Sequence, residues 1–390
     1  MSQKENTQNF ANIKLKVYHE TDSTSILFFE FDADKFMYKK ADSTGLFYTN
    51  ILVNAKCKES FNAGTIKDSS SKTVITELES MKNRNKIRTF IRLKVKEPFT
   101  GIIEGYVYDF NKNREYRITE QVDKINQLSS QNFLINNAKS ILYEDYVSKG
   151  EELTLRSERN NGKELEIKFQ RSVFPPALPP FSNKIESVNT LVFDSSYVRL
   201  LSDSISIKTL HKGLIHVCVI GAQEGLTKLV LHNSYPGVMD AEEMIKCTRY
   251  IMSKEEYSNC LDSDDKKSCI DAFWKKLAGS NERAVEILKK YYSRVTEANN
   301  RYTSYKEGWK TDRGMIYVIF GEPVNIYKNN SEEIWVYGAE TDINSLKFNF
   351  AKEKCLFSTN HYVLKRSFSY KEPWYTAVDF WRMGRLYLER

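Results

Sequence analysis

The chain has 390 residues, of which 41% are hydrophobic and 13% aromatic, which is enough to bury more than one core and too apolar for intrinsic disorder. Its 58 lysines and arginines exceed 51 aspartates and glutamates by only +7. Spread over this length, that excess argues against a nucleic-acid-binding surface. The densest apolar run, residues 214–220, falls well short of the ~18 residues a membrane-spanning helix needs.

Residues 1–128 alternate repeatedly at period two, as in Ile13-Leu15-Val17 and in Thr89-Ile91-Leu93-Val95, with Arg88, Arg92, Lys94 and Lys96 between them. This pattern predicts half-buried antiparallel sheets. Residues 102–108 and 114–119 read as a hairpin around 109–113, and the recurring strands suggest a β-sandwich-like domain. The polar runs 67–72 and 82–86 read as solvated loops.

Residues 129–239 read as a second β-rich, sandwich-like domain. Leu153 and Leu155 before Asn160-Asn161-Gly162, with Leu165, Ile167 and Phe169 after it, predict a tight hairpin, because Asn-Gly accepts positive φ. Residues 174–181, FPPALPPF, predict a rigid crossover between strands, with an SH3-type ligand as the alternative use of such a segment. Strands resume at 189–194, 205–209, 213–220 and 226–232.

From Asp240 the period changes to that of a helix. Helices are predicted at 241–251, 254–260, 264–277 and 281–302, with Ser253 and Glu256 spaced as a capping box and Ser280 as an N-cap. Ala284, Ile287, Leu288, Tyr291, Tyr292, Val295, Ala298 and Tyr302 form one core-facing stripe on the last of these. Strands follow at 315–320, 324–327, 333–337 and 346–350. A closing helix is expected at 373–383, with Pro373 in its first turn and Gly384 at its exit. All five tryptophans, at 274, 309, 335, 374 and 381, fall in this last third, which predicts an aromatic core there.

Cys57 and Cys218 sit in apolar alternation and read as small core residues, whereas Cys260 and Cys269, nine apart across a polar turn, permit a short-loop disulfide. No CxxC pair occurs and the five histidines, at 19, 211, 216, 232 and 361, are scattered, so no metal is expected. No Walker loop, nucleophile elbow, HExxH helix or dinucleotide fingerprint is present, and no cofactor is expected.

The segment Gly308-Trp309-Lys310-Thr311-Asp312-Arg313-Gly314, with the turn Gly321-Glu322-Pro323 after residues 315–320, resembles the signature of the GWxTD-domain family. Residues 271–274, 294–299, 174–181 and 374–384 also resemble that family's pattern. The likeness covers residues 245–390 well and 130–240 loosely. It implies a bacterial envelope protein, of the kind found mostly in Bacteroidota, lipid-anchored and without an established activity. On this basis residues 240–390 are expected to form an α+β domain of GWxTD type.

In the residues themselves, Trp309 can bury a large ring, Thr311 and Asp312 can bond nearby backbone N–H groups, Arg313 can pair with an acidic neighbour, and Gly308 and Gly314 permit a bend. Together they read as a structural clasp. The chemical alternative pairs Asp312 with Glu322 and uses Arg313 as an anion clamp. Along a straight strand those carboxylates would stand over ~20 Å apart, too far for a dyad. Cys355 and His361 read as ordinary residues on successive strands.

The resemblance leads to the expectation of a non-enzymatic lipoprotein on the periplasmic face of the outer membrane. It would act as scaffold or accessory subunit of an outer-membrane-associated complex, in secretion or outer-membrane protein handling. Its partners would be envelope or outer-membrane proteins, not nucleic acid, and it would reach the membrane through a lipid anchor outside this sequence. The alternatives are a cell-envelope hydrolase and a glycan- or peptide-binding module. Residues 1–8 are polar, without the apolar core of a signal peptide. Taken alone they suggest a cytoplasmic protein, whereas the resemblance suggests a form from which the signal segment has been removed.

Overall fold

Period-two alternation organises the first hundred residues because two sheets share one core. The computed structural model describes residues 3–6, 13–42, 44–61, 63–81, 85–171, 174–184, 192–339 and 345–385. After β1 (Gln3–Asn6), which joins a sheet far along the chain, β2 (Lys14–His19), β3 (Thr24–Asp32) and β7 (Lys86–Lys94) make a three-stranded sheet. Facing it are β4 (Lys39–Lys40), β5 (Phe47–Lys58), β8 (Thr100–Asp109) and β9 (Arg114–Asp123), with β6 (Ile66–Glu77) on the free edge of β5. Leu27, Phe29 and Phe31 from one sheet and Val53, Ala55 and Val107 from the other are buried together. Among the described residues of this region the only α-helix is the single turn α1 (Leu78–Met81).

Residues 67–72 are not a loop: they lie in β6, which pairs with β5 from Tyr48↔Glu77 to Lys58↔Ile66. As an edge strand with both faces largely exposed, β6 needs no apolar alternation, and the backbone ladder alone defines it. Of the second expected loop, residues 82–84 lie outside the described residues and Lys86 opens β7.

A second pair of sheets follows. β10 (Leu134–Asn136), β12 (Glu152–Arg156) and β15 (Ile205–Lys208) form one; β11 (Tyr146–Ser148), β17 (Gly225–Leu231), β16 (Gly213–Val219), β13 (Glu164–Gln170) and β14 (Ser195–Leu200) form the other, in that order. The β11–β17 pair is parallel and the remaining pairs are antiparallel.

The Asn-Gly hairpin expected between β12 and β13 does not form, because those strands belong to different sheets. Asn161 keeps φ −59° and only Gly162 is positive, at +78°. The buried Asn160 side chain turns inward to donate to Ser157 Oγ at 2.9 Å, so the turn carries the chain across the sandwich. Of the strand expected at 189–194, residues 189–191 lie outside the described residues, and β14 starts at Ser195.

The helical third comprises α2 (Ala241–Thr248), α3 (Lys254–Asp262), α4 (Lys266–Ala278), α5 (Asn281–Tyr302), α6 (Asp312–Phe320) and α7 (Lys371–Arg382). Asp240, Ser253, Asp265 and Ser280 each cap the helix that follows, and Ser253 with Glu256 makes the full capping box. Cys260 and Cys269 form a disulfide between α3 and α4, with Cα atoms 5.4 Å apart. Strands β18 (Asn325–Lys328), β19 (Glu332–Tyr337), β20 (Leu346–Lys352) and β21 (Tyr362–Leu364) make an antiparallel sheet, to which β1 adds on the β18 side. All five tryptophans are buried in one core with the apolar stripe of α5. Among the described residues no helix is long and apolar enough to cross a membrane.

Residues 315–320 are helix, not strand. Every residue of α6 is buried, so its sequence is apolar on all sides and shows no helical period. A six-residue β-branched and aromatic run is then indistinguishable from a buried strand.

Candidate functional site

A helix buried along its whole length must have its end groups satisfied by protein, and the GWKTDRG segment does this for the start of α6. Thr311 is the N-cap: its Oγ1 accepts from Gly314 N–H at 3.0 Å and donates to Gly308 O at 2.7 Å. Gly308 and Gly314 are required by close approach. A Cβ on Gly308 would lie 2.1 Å from Ala298 O of α5, and one on Gly314 would lie 1.8 Å from Gly308 O. Trp309 is 3% exposed; its N–H donates to Asn299 Oδ1 at 3.1 Å and its carbonyl accepts from Tyr250 OH at 3.1 Å.

Asp312 and Arg313 reach from the first turn of α6 to the small sheet. Asp312 accepts from Leu364 N–H at 2.8 Å and from both terminal nitrogens of Arg366, at 2.6 and 3.1 Å. Its negative charge also suits the helix N-terminus. Arg313 donates to both oxygens of Glu333, at 3.2 and 3.3 Å, and to the carbonyl of Asn360 at 3.1 Å, while stacking 3.9 Å from the Tyr362 ring centre. Burial alone would raise the Glu333 carboxyl, but Arg313, Lys328 and the Trp335 indole N–H outweigh it and hold its pKa below the usual range.

At the other end Gly321, with φ +83°, ends α6 and accepts from Tyr337 OH at 2.8 Å. Pro323 is buried just beyond it. Asp312 and Glu322 do not converge. They sit beyond opposite ends of a helix that rises about 1.5 Å per residue, and Glu322 pairs with Arg301 at 3.0 Å. The expected strand between them was wrong; the helix sets them about 15 Å apart along its axis instead of over ~20 Å, still too far for a dyad. Cys355 and His361 lie in the connection between β20 and β21 instead of on strands. Burial pushes the Cys355 thiol up, the opposite of the shift that activates a cysteine nucleophile.

The proline-rich segment leaves the second sandwich after β13 and runs over the signature before returning at β14. Ala177 N–H donates to Lys310 O at 2.8 Å, Ser367 N–H to Pro180 O at 3.1 Å, and Arg366 to Leu178 O at 3.3 Å. Phe174 packs edge-on to Tyr305, 5.1 Å between centres. Beside this strap a cleft of about 370 Å³ is lined by Lys306, Asp312, Arg313, His361 and Arg366 among others. A larger one, of about 1210 Å³, opens where both sandwiches meet the C-terminal sheet. Among the described residues no three metal-ligating side chains cluster.

Sequence reading placed Arg294 and Asn299 in the family-like run 294–299 without a role for either; both are buried polar residues on the apolar face of α5. Arg294 donates to Val318 O and Ile319 O, at 3.3 and 3.1 Å, closing the C-terminal end of α6. Asn299 holds Trp309 N–H and donates to Pro236 O at 2.9 Å. Their signal was positional: both fall on the buried face, three or four residues from Tyr291, Val295 and Tyr302.

A search for curated relatives matches none. Among solved structures, a red sea bream transglutaminase is similar over 57% of this chain and 32% of its own, at 9% identity and a TM-score of 0.19. The C-terminal domain of the Streptococcus pyogenes antigen I/II-family protein AspA is similar over 57% of this chain and 98% of its own, at 10% identity and a TM-score of 0.19. The BSP domain of a biofilm associated protein is similar over 58% and 53%, at 9% identity and a TM-score of 0.18. Likeness at this level carries no argument about fold or function. Residues 218–383 match the model of the GWxTD domain, and the Gly308–Gly314 clasp lies within that match.

Proposed function

We propose that the protein is a non-enzymatic scaffold or accessory subunit of a cell-envelope assembly, held by a lipid anchor at the periplasmic face of the outer membrane and engaged in secretion or outer-membrane protein handling. The observation that carries the non-enzymatic part is the internal closure of the signature. Thr311, Asp312 and Arg313 all bond to other parts of the same chain. A motif consumed in this way supports architecture, whereas a hydrolase needs a carboxylate or nucleophile left to face substrate.

The Cys260–Cys269 disulfide supports an oxidising compartment, where such bonds persist. The test is to quench native cells in acid, alkylate the unfolded protein and weigh it, after separating envelope from cytosol. The proposal expects the protein in the envelope fraction with label on Cys57, Cys218, Cys247 and Cys355 only. Label on Cys260 and Cys269 as well, in a cytosolic fraction, would overturn it. Gentle detergent extraction should then recover the protein together with outer-membrane proteins.

A further inference from the structure

The cleft of about 1210 Å³ is walled by strands from all three parts of the fold: Lys16 of β2, Glu120 of β9, Lys328 of β18 and Lys352 of β20, with Asp145 from the segment before β11. Most of its charges are paired within the protein. Lys352 donates to Gln121 Oε1 at 2.8 Å, Lys328 lies 3.7 Å from Glu333, and Lys228, behind the wall, lies 3.5 Å from Asp145. Glu144, which also faces Lys16, is taken by Lys14. Lys16 alone among these cations has neither hydrogen bond nor ion pair. Glu120 accepts only from the N–H of its neighbour Gln121, at 3.3 Å.

We infer that this three-way cleft binds a small organic carboxylate, with Lys16 pairing the carboxylate and Glu120 accepting an N–H of the same ligand. A peptide with a free C-terminus offers both groups and is the favoured source; a sugar acid shares the carboxylate and lacks the N–H. The cleft is large enough for either, since ligand pockets run about 300–1,000 Å³. Lys16 is half-buried, and a cation drawn partly out of water without a partner costs stability and is retained at a site that something else completes.

The ligand-free electrostatics agree. Burial first, and then the like charge of Lys228, lower Lys16 to about 7, against the partial support of Asp145, Glu144 and Glu120. Burial likewise raises Glu120, against the pull of Lys352. A carboxylate arriving at Lys16 would therefore restore its charge, and binding above neutral pH would take up a proton.

Calorimetry on the whole chain, with trialanine, trialanine amide and glucuronate, tests this. Trialanine is expected to bind near or below about 1 mM, and its amide to bind at least about tenfold more weakly. Runs at about pH 8 in two buffers of different ionisation enthalpy should show proton uptake on binding. Lys16→Gln should abolish binding, while Lys16→Met should melt at higher temperature than the ligand-free parent. Binding of glucuronate but not trialanine would retain the carboxylate site and assign it to sugar acids. Equal binding of acid and amide, no binding of either carboxylate, or unchanged binding in a folded Lys16→Gln protein would overturn the inference.

Discussion

Removing the Asp312 carboxylate discriminates between clasp and catalyst. In Asp312→Ala the Arg366 guanidinium loses both its carboxylate bonds and Leu364 N–H loses its acceptor. Breaking one side of a buried ion pair costs about 3–5 kcal/mol. The Arg366 side chain is 15% exposed, so water returns part of that loss and about 3 kcal/mol remains. An orphaned buried N–H adds about 1 kcal/mol, for a total near 4 kcal/mol. With a urea slope of about 2 kcal/mol/M, the midpoint should fall by about 2 M.

Tryptophan fluorescence is the suitable probe, because all five tryptophans lie in the C-terminal core and report its transition alone. Asp312→Asn, which keeps one acceptor oxygen, should lose about half as much. The double variant Asp312→Ala with Arg366→Met should recover to within about 1–2 kcal/mol of the parent, since removing both ends of a buried pair is close to neutral. The clasp argument fails if Asp312→Ala melts like the parent, or if the two substitutions simply add.

Trp309→Ala leaves a buried cavity between Tyr250, α5 and α6, and should cost about 3–5 kcal/mol by the same fluorescence-monitored unfolding. Gly314→Ala places a Cβ 1.8 Å from Gly308 O, backbone that α5 holds in place; it should unfold the C-terminal unit at ambient temperature, read as loss of the near-ultraviolet tryptophan bands. Glu256 is held at about 2 chiefly by its bonds to Arg382. A depressed carboxyl contributes stability above its unfolded pKa and loses it as pH falls through the folded value. Melts should therefore weaken between about pH 4.5 and 2, less so in Glu256→Gln, and an NMR titration placing Glu256 near its ordinary value would contradict the bond to Arg382.

The helices capped by Ser253 and Ser280 and the stripe from Ala284 to Tyr302 were legible because a half-buried helix writes its orientation as a 3.6-residue period. The same rule explains where reading failed. α6 is buried all round and β6 is exposed on nearly all sides, so neither carries a periodic signal. Asn160-Asn161-Gly162 has the composition of a hairpin turn, yet distant contacts, Gly162 N–H to Leu201 O at 2.8 Å and Asp203 N–H to Asn161 Oδ1 at 3.2 Å, decide its path, a tertiary override of local propensity. The pairing of β1 with β18 joins residues more than three hundred positions apart, and the Lys16–Glu120 cleft is assembled from three separate parts of the chain. No local pattern encodes either.

The signature's composition follows from the burial of α6. Of the carbonyls in its last turn, Tyr317 accepts from Gly321 N–H at 2.8 Å, Val318 from Arg294, and Ile319 from Arg294 and from the Trp381 indole at 3.0 Å. At the first turn Thr311 takes Gly314 N–H, while Asp312 and Arg313 spend their charges on Arg366 and Glu333. Were any of these removed, water could not readily replace it without opening the core, because all nine helix positions are buried. A solvent-facing helix could end in many ways, using water for its spare donors and acceptors. A helix sealed on all sides has few solutions, and glycine, tryptophan, threonine and aspartate at fixed spacing are one of them. The recognisability of the motif is thus a consequence of where α6 sits, and it needs no substrate to explain it.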